Sequence, residues 1–214
     1  MIEEIKLTHK TSIYRTNYNW EYSQEAFIDR AYEVERFSEG KPWWLSPLLK
    51  NNAVMYLLFD CLEFRSINSF ALESCKQISN TNPKEWTIRN WVYISDEVSE
   101  LELNKAISEG KKDHNWHIHS TVYDSFEQMK TDWTFCFYIQ VPDKLKDNEG
   151  KVVFKTEDKK LHYFLPEEGN VYFFPGNLEH STVHLLEEKN KARILIAGNI
   201  SLDPLRYFKA KKII

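Results

Sequence analysis

From Trp86 onward the chain reads as a succession of short β-forming segments, each bounded by a turn cluster. That pattern restricts the fold more than any other feature. Trp86 to Ile94 alternates and is rich in aromatic and β-branched residues. Trp116–Ser120, Trp133–Val141, Val152–Phe154, His162–Phe164, Val171–Phe174, Thr182–Leu185 and Arg193–Ile200 follow. The intervening clusters are Asp-Asn-Glu-Gly at 147–150, Pro-Glu-Glu-Gly-Asn at 166–170, Pro-Gly-Asn at 175–177 and Glu-Glu-Lys-Asn-Lys at 187–191. Strands this short and this regularly spaced predict a sandwich or barrel. Trp133–Val141 is almost wholly apolar, so its strand is expected to be covered on both faces.

Before residue 85 the period changes. Ser23 stands as an N-cap, with Glu25 in the first turn and Phe27, Ile28, Ala31 and Val34 at helical spacing until Gly40. Ser66–Ile78 repeats the pattern and ends in Ser-Asn-Thr-Asn-Pro. Val54–Phe59 is apolar and suits a buried strand or a buried helix equally. The expectation is mainly β, with N-terminal helices: a helical or mixed region over 1–85 packed on a core over 86–214, one structural domain overall. The 214 residues suffice for one sizeable core, and the 14% aromatic content supplies large side chains to fill it.

The net charge of −4 argues against a nucleic-acid or membrane-surface partner, which would call for a basic face. Lys209, Lys211 and Lys212 read as a solvated tail. Three cysteines, Cys61, Cys75 and Cys136, with no C-x-x-C, predict neither a disulfide framework nor a cysteine zinc site. A reducing, cytoplasmic setting follows from that usage. Met1–Lys6 has no apolar run, so no signal peptide is expected.

The histidines carry the chemical signal. His117 and His119 lie two apart on an expected strand, which places both on one face. His180 follows an apolar strand and a Pro-Gly turn, where core packing gives no reason for a polar ring. A His-x-His pair alone is more often structural than metal-binding. With His180 added, the three imidazoles suit one Fe(II), Zn(II), Mn(II) or Ni(II) ion. His184, four residues after His180, lacks the Glu of a helical zinc motif, and His114 reads as solvated.

These segments resemble the 2-oxoglutarate- and Fe(II)-dependent oxygenase superfamily, specifically its bacterial and phage branch with a His-x-His first motif. Ile107-Ser108-Glu109-Gly110 leading to Trp116-His117-Ile118-His119 is similar to that branch's glycine turn and ligand strand. Thr134–Pro142 is similar to its strand ending in Tyr-Tyr-x-Gln-x-Pro. Glu168–Pro175 with Leu178-Glu179-His180 is similar to its distal ligand motif, and Arg193–Asn199 to its arginine strand. The likeness spans about residues 86–204.

The resemblance implies a double-stranded β-helix (jelly roll) and Fe(II) held by His117, His119 and His180. It implies 2-oxoglutarate as a cosubstrate held by Arg193 and Tyr138, and hydroxylation of a substrate C–H bond. Trp116, Trp133, Phe137 and Phe173 are the expected aromatic walls. The chain departs from the family at His119, where Asp is commoner, and at Leu195, where Ser is frequent. Asp124 therefore stands as an alternative second ligand. Rival readings are a cupin-like three-His metalloprotein that does not use 2-oxoglutarate, and a non-catalytic, phage-type jelly roll. The expected partners are the small-molecule cosubstrate and a substrate whose identity, like the oligomeric state, is not written in the sequence.

Overall fold

The computed structural model describes residues 1–38, 61–82, 86–95, 116–119, 131–145, 149–183, 185 and 190–202. Gly40, the Val54–Phe59 segment, the 107–110 turn, His114, Asp124 and His184 lie outside them. Among the described residues, nine strands and two helices follow in the order β1 (Glu3–Lys6), β2 (Ser12–Asn17), α1 (Gln24–Ser38), α2 (Leu62–Ser79), β3 (Trp86–Ser95), β4 (Trp133–Gln140), β5 (Val152–Lys155), β6 (Leu161–Phe164), β7 (Asn170–Pro175), β8 (Glu179–Thr182) and β9 (Arg193–Leu202). The major sheet has the order β1-β2-β7-β4-β9-β3, and the minor sheet β6-β5-β8. Every neighbouring pair is antiparallel.

The course of the chain makes these two sheets one object. From β3 it crosses to the minor side at His117, which forms an isolated antiparallel bridge with His180 of β8. It returns to the major sheet at β4, forms β5 and β6 in the minor sheet, and passes through β7 (major), β8 (minor) and β9 (major). This alternation winds the chain around a shared interior.

Local caps mark the start of α1 and the end of α2. Ser23 Oγ accepts the Ala26 N–H at 3.2 Å, the expected N-cap of α1. α2 starts four residues before the expected Ser66 and stops at Asn80, whose αL conformation (φ 48°) caps the last turn. The helices lie on one face of the major sheet. Phe27, Ala31 and Val34 of α1 and Phe64, Ile67, Ala71 and Cys75 of α2 pack on Phe135, Phe137, Ile139, Ile194, Ile196 and Phe173.

Because side chains alternate along a strand, the remaining residues of the same strands face the interior. These are Tyr138 on β4, Tyr172 and Phe174 on β7, Leu195 and Ala197 on β9, and Trp91 on β3. This parity corrects the expected walls of the site. Trp133, Phe137 and Phe173 belong to the helix-side core.

Two other expectations change. The segment at Trp116 forms no continuous strand: His117 exchanges two backbone hydrogen bonds with His180, then the chain bends and His119 N–H turns to Gly176 O. The strand expected at Thr182–Leu185 is centred earlier, as β8, because only Gly176–Leu178 separate it from β7. Residues 3–17 form a hairpin that extends the major sheet, with β2 pairing to β7 from Tyr14↔Phe173 to Asn17↔Asn170.

The helix-side core sets a quantitative expectation. Phe137 has no exposed surface and meets the rings of Tyr18, Trp20 and Phe27 at 5.1–5.4 Å. Phe137→Ala should cost about 3–5 kcal/mol in denaturant unfolding. A loss under about 1 kcal/mol would contradict its placement in close-packed core.

Candidate metal centre

His180 is set by β8 and its neighbours. It pairs with Phe154 of β5 and packs against the Phe174 ring at 4.5 Å, leaving only 5% of its surface exposed. Its Nδ1 lies 2.9 Å from Leu178 O. A carbonyl only accepts, so Nδ1 carries the proton and Nε2 presents its lone pair. Burial first, then the neighbouring His117 and His119 rings, hold the His180 pKa well below the usual imidazole value. The ring is therefore neutral, the form that binds a metal.

His117 is exposed and His119 half-buried. The His117–His180 backbone bridge brings those two rings to 4.3 Å between centroids. Two further contacts aim His119: its N–H donates to Gly176 O at 2.7 Å, and its ring stacks at a tilt on Trp91 at 5.6 Å. Gly176 is tied to this geometry, because a Cβ there would stand 2.5 Å from the Thr131 carbonyl oxygen.

The three rings each offer a nitrogen, and these nitrogens all lie within 4.8 Å of one another. The Nε2 atoms of His119 and His180 are 3.2 Å apart. Two ligands at right angles on a first-row ion with bonds of about 2.1 Å stand about 3 Å apart, so the donor set fits one such ion. Among the described residues no carboxylate joins the group.

The group closes one end of a cavity of about 120 Å³, lined also by Trp91, Tyr93, Tyr138, Leu195 and Ser181. Burial keeps two of its acidic groups protonated. The Cys136 thiol is pushed up to about 12, with Arg193 pulling weakly the other way, and the Tyr138 phenol is raised well above its usual value. Tyr138 is thus a donor, not an anion.

Arg193 lies behind this lining, 1% exposed. Its Nη1 donates to Gly150 O (3.2 Å) and Val183 O (3.4 Å), its guanidinium packs over Tyr93 at 5.4 Å, and its buried Nε has no partner. No carboxylate among the described residues forms an ion pair with it. Ser181 Oγ, in the cavity wall, is likewise buried and unpartnered. Sequence reasoning missed Ser181, Trp91 and Tyr93 as site residues. The parity of β3 relative to β9 was the one signal that could have found the two aromatics. Trp116 stands by Lys155 (5.4 Å) and is not part of the lining.

No family model and no curated protein matches this sequence. Solved structures do. A candidate oxygenase from Shewanella oneidensis aligns over 95% of this chain and 92% of its own, at 12% identity and a TM-score of 0.51. The fold is a double-stranded β-helix. A prolyl-4-hydroxylase from Pseudomonas putida (82% of this chain, 79% of its own) and a full-length Neurospora crassa protein in complex with alpha-KG (88% and 73%) each align at 12% identity with a TM-score of 0.48. In this double-stranded β-helix the strands alternate between sheets as described above. No described helix is long and apolar enough to cross a membrane.

The neutral His180 gives a pH dependence. Its folded pKa is lowered, so below about pH 6.5 the unfolded chain binds more protons than the folded one. Stability of the metal-free protein should fall as pH drops through that value, by up to about 1.4 kcal/mol per pH unit from this group. Urea unfolding at pH 7.5, 6.5 and 5.5 should show the decline, and His180→Phe should flatten it. Equal slopes in the two proteins would exclude His180 as its source.

Proposed function

We propose that this protein is a non-haem Fe(II) oxygenase that uses 2-oxoglutarate and O2 to hydroxylate a substrate. The observation that carries the reading is a pairing of two features around one cavity. Three imidazoles converge in its wall, and a buried guanidinium without a carboxylate partner among the described residues packs over Tyr93, another residue of that wall. The fold shared with the Shewanella protein is consistent with it.

Fe(II) would be held by His117, His119 and His180, and would supply redox chemistry with O2. An ion held on one face by three ligands leaves positions for cosubstrate and O2. His180 and Val183, whose carbonyl accepts from Arg193, are three residues apart, a span of about 10 Å along extended chain. A short 2-oxo dicarboxylate suits such a span. Arg193 would neutralise its far carboxylate, and the protonated Tyr138 would donate a hydrogen bond to it. An unpaired buried charge is costly, which gives Arg193 a reason to bind an anion. Trp91, Tyr93, Val152 and Leu195 would keep water from the reacting end. Ser181 offers a hydroxyl from the opposite sheet, where Leu195 withholds one.

Anaerobic titration of 2-oxoglutarate into the Fe(II)-loaded protein tests this. Wild type should bind, and Arg193→Met should lose about 2–5 kcal/mol of affinity while keeping the metal. His180→Ala should abolish stoichiometric metal binding. Wild-type protein that binds Fe(II) but no 2-oxoglutarate would overturn the cosubstrate assignment.

A further inference from the structure

Beyond the three histidines, a directed chain of hydrogen bonds runs from the major sheet into the candidate metal centre. Thr134 Oγ1 donates to Asn199 Oδ1 at 3.1 Å. Asn199 Nδ2 lies 3.3 Å from His119 Nδ1. His119 Nε2 lies 3.2 Å from His180 Nε2, and His180 Nδ1 donates to Leu178 O. Thr134 and Asn199 are cross-strand partners on β4 and β9, so the sheet register itself holds the first link.

One set of proton positions satisfies every link. The Leu178 carbonyl requires a proton on His180 Nδ1, which leaves His180 Nε2 as an acceptor. His119 must then carry its proton on Nε2. Its Nδ1 accepts from the Asn199 amide, whose oxygen accepts from Thr134. This arrangement satisfies the described links without a metal, and it is the wrong one for His119 to bind a metal through Nε2. A metal at that nitrogen needs its lone pair.

We propose that Asn199 is a positioning residue whose amide reverses when the metal site fills, moving His119 from its Nε2-protonated to its Nδ1-protonated tautomer. This rests on the reading of His117, His119 and His180 as metal ligands. The ring stays neutral throughout: the proton lost from Nε2 is matched by one gained at Nδ1, exchanged through water. Asn199 Oδ1 then accepts from Nδ1–H, and Asn199 Nδ2 donates to Thr134. Asn and Thr are the side chains this demands, because each can donate or accept. A carboxylate at 199 could only accept from the ring, and an apolar residue could do neither. The outer partner of a metal-bound imidazole fixes its ring and strengthens its bond to the metal.

Two measurements on the full chain test this. The first needs no variant: NMR of protein labelled with 15N at histidine reads the His119 tautomer before and after Zn(II) is added. The expected result is Nε2-protonated without metal and Nδ1-protonated with it. His119 found Nδ1-protonated in both states would overturn the proposal. The second is competitive titration with Zn(II) and Co(II). Asn199→Leu should weaken binding by about 10–100-fold. Asn199→Asp should restore it, and should show the Nδ1-protonated tautomer even without metal. Asn199→Leu that folds and binds like wild type would overturn the role of Asn199 while leaving the three-His reading intact. Wild type that binds neither metal would overturn that reading and, with it, the reversal.

Discussion

β4, β7 and β9 lie in the middle of the major sheet, with helices on one side and the minor sheet on the other. Alternation then assigns every residue on them to one of two apolar layers. Phe135, Phe137, Ile139, Ile194 and Ile196 fill the helix side. Thr134, Cys136, Tyr138, Leu195, Ala197 and Asn199 share the parity of the cavity side, together with Arg193. A slip of one residue would exchange the two sets and put the guanidinium under α1. With both faces buried, such a slip buries polar groups without partners, which makes the register costly to change. The cavity, the Asn199 contact and the burial of Arg193 all depend on that single choice.

The candidate metal centre depends on a second, smaller constraint. His117 and His180 are 63 residues apart, yet one pair of backbone hydrogen bonds sets them side by side. His119 is placed by the β7–β8 turn, through Gly176 O, and by Trp91. The three ligand nitrogens are thus positioned by β8, by a one-residue bridge and by a turn. His180 thus stands within a strand, whereas His117 and His119 stand on irregular backbone. Burial of His180 keeps it neutral and ready to bind, and partial exposure of His117 opens the site to solvent.

Three neutral ligands change the electrostatics of such a centre relative to two histidines and a carboxylate. A divalent ion here would keep its full +2 charge within the protein ligand set. The cavity offers no anion among its described lining, since Cys136 and Tyr138 stay protonated. A metal bound there, with Arg193, would favour a dianion in the cavity, as the proposed cosubstrate requires.

Much of this was written in local sequence. The late strands were legible because β-branched and aromatic runs stop at Gly, Pro and Asn clusters, and α1 was legible through Ser23 and its apolar spacing. The three histidines stood out by residue type and spacing, and Tyr138 and Arg193 only through the family resemblance. What escaped had no local signal. The β1–β2 hairpin is polar, with Glu3, Glu4, Lys6 and Arg15, and pairing with β7 rather than propensity makes it a sheet edge. Which aromatics face the cavity turned on parity between strands distant in sequence, so Phe137 and Phe173 went to the helices while Trp91 and Tyr93 came to the site. The Thr134–Asn199–His119 relay required β4 and β9 in register, 65 residues apart. Sequence determined which groups this protein can use, because residue chemistry and strand period are local properties. Tertiary structure decided which of them meet, because register between distant strands is set by burial of whole faces and not by any one segment.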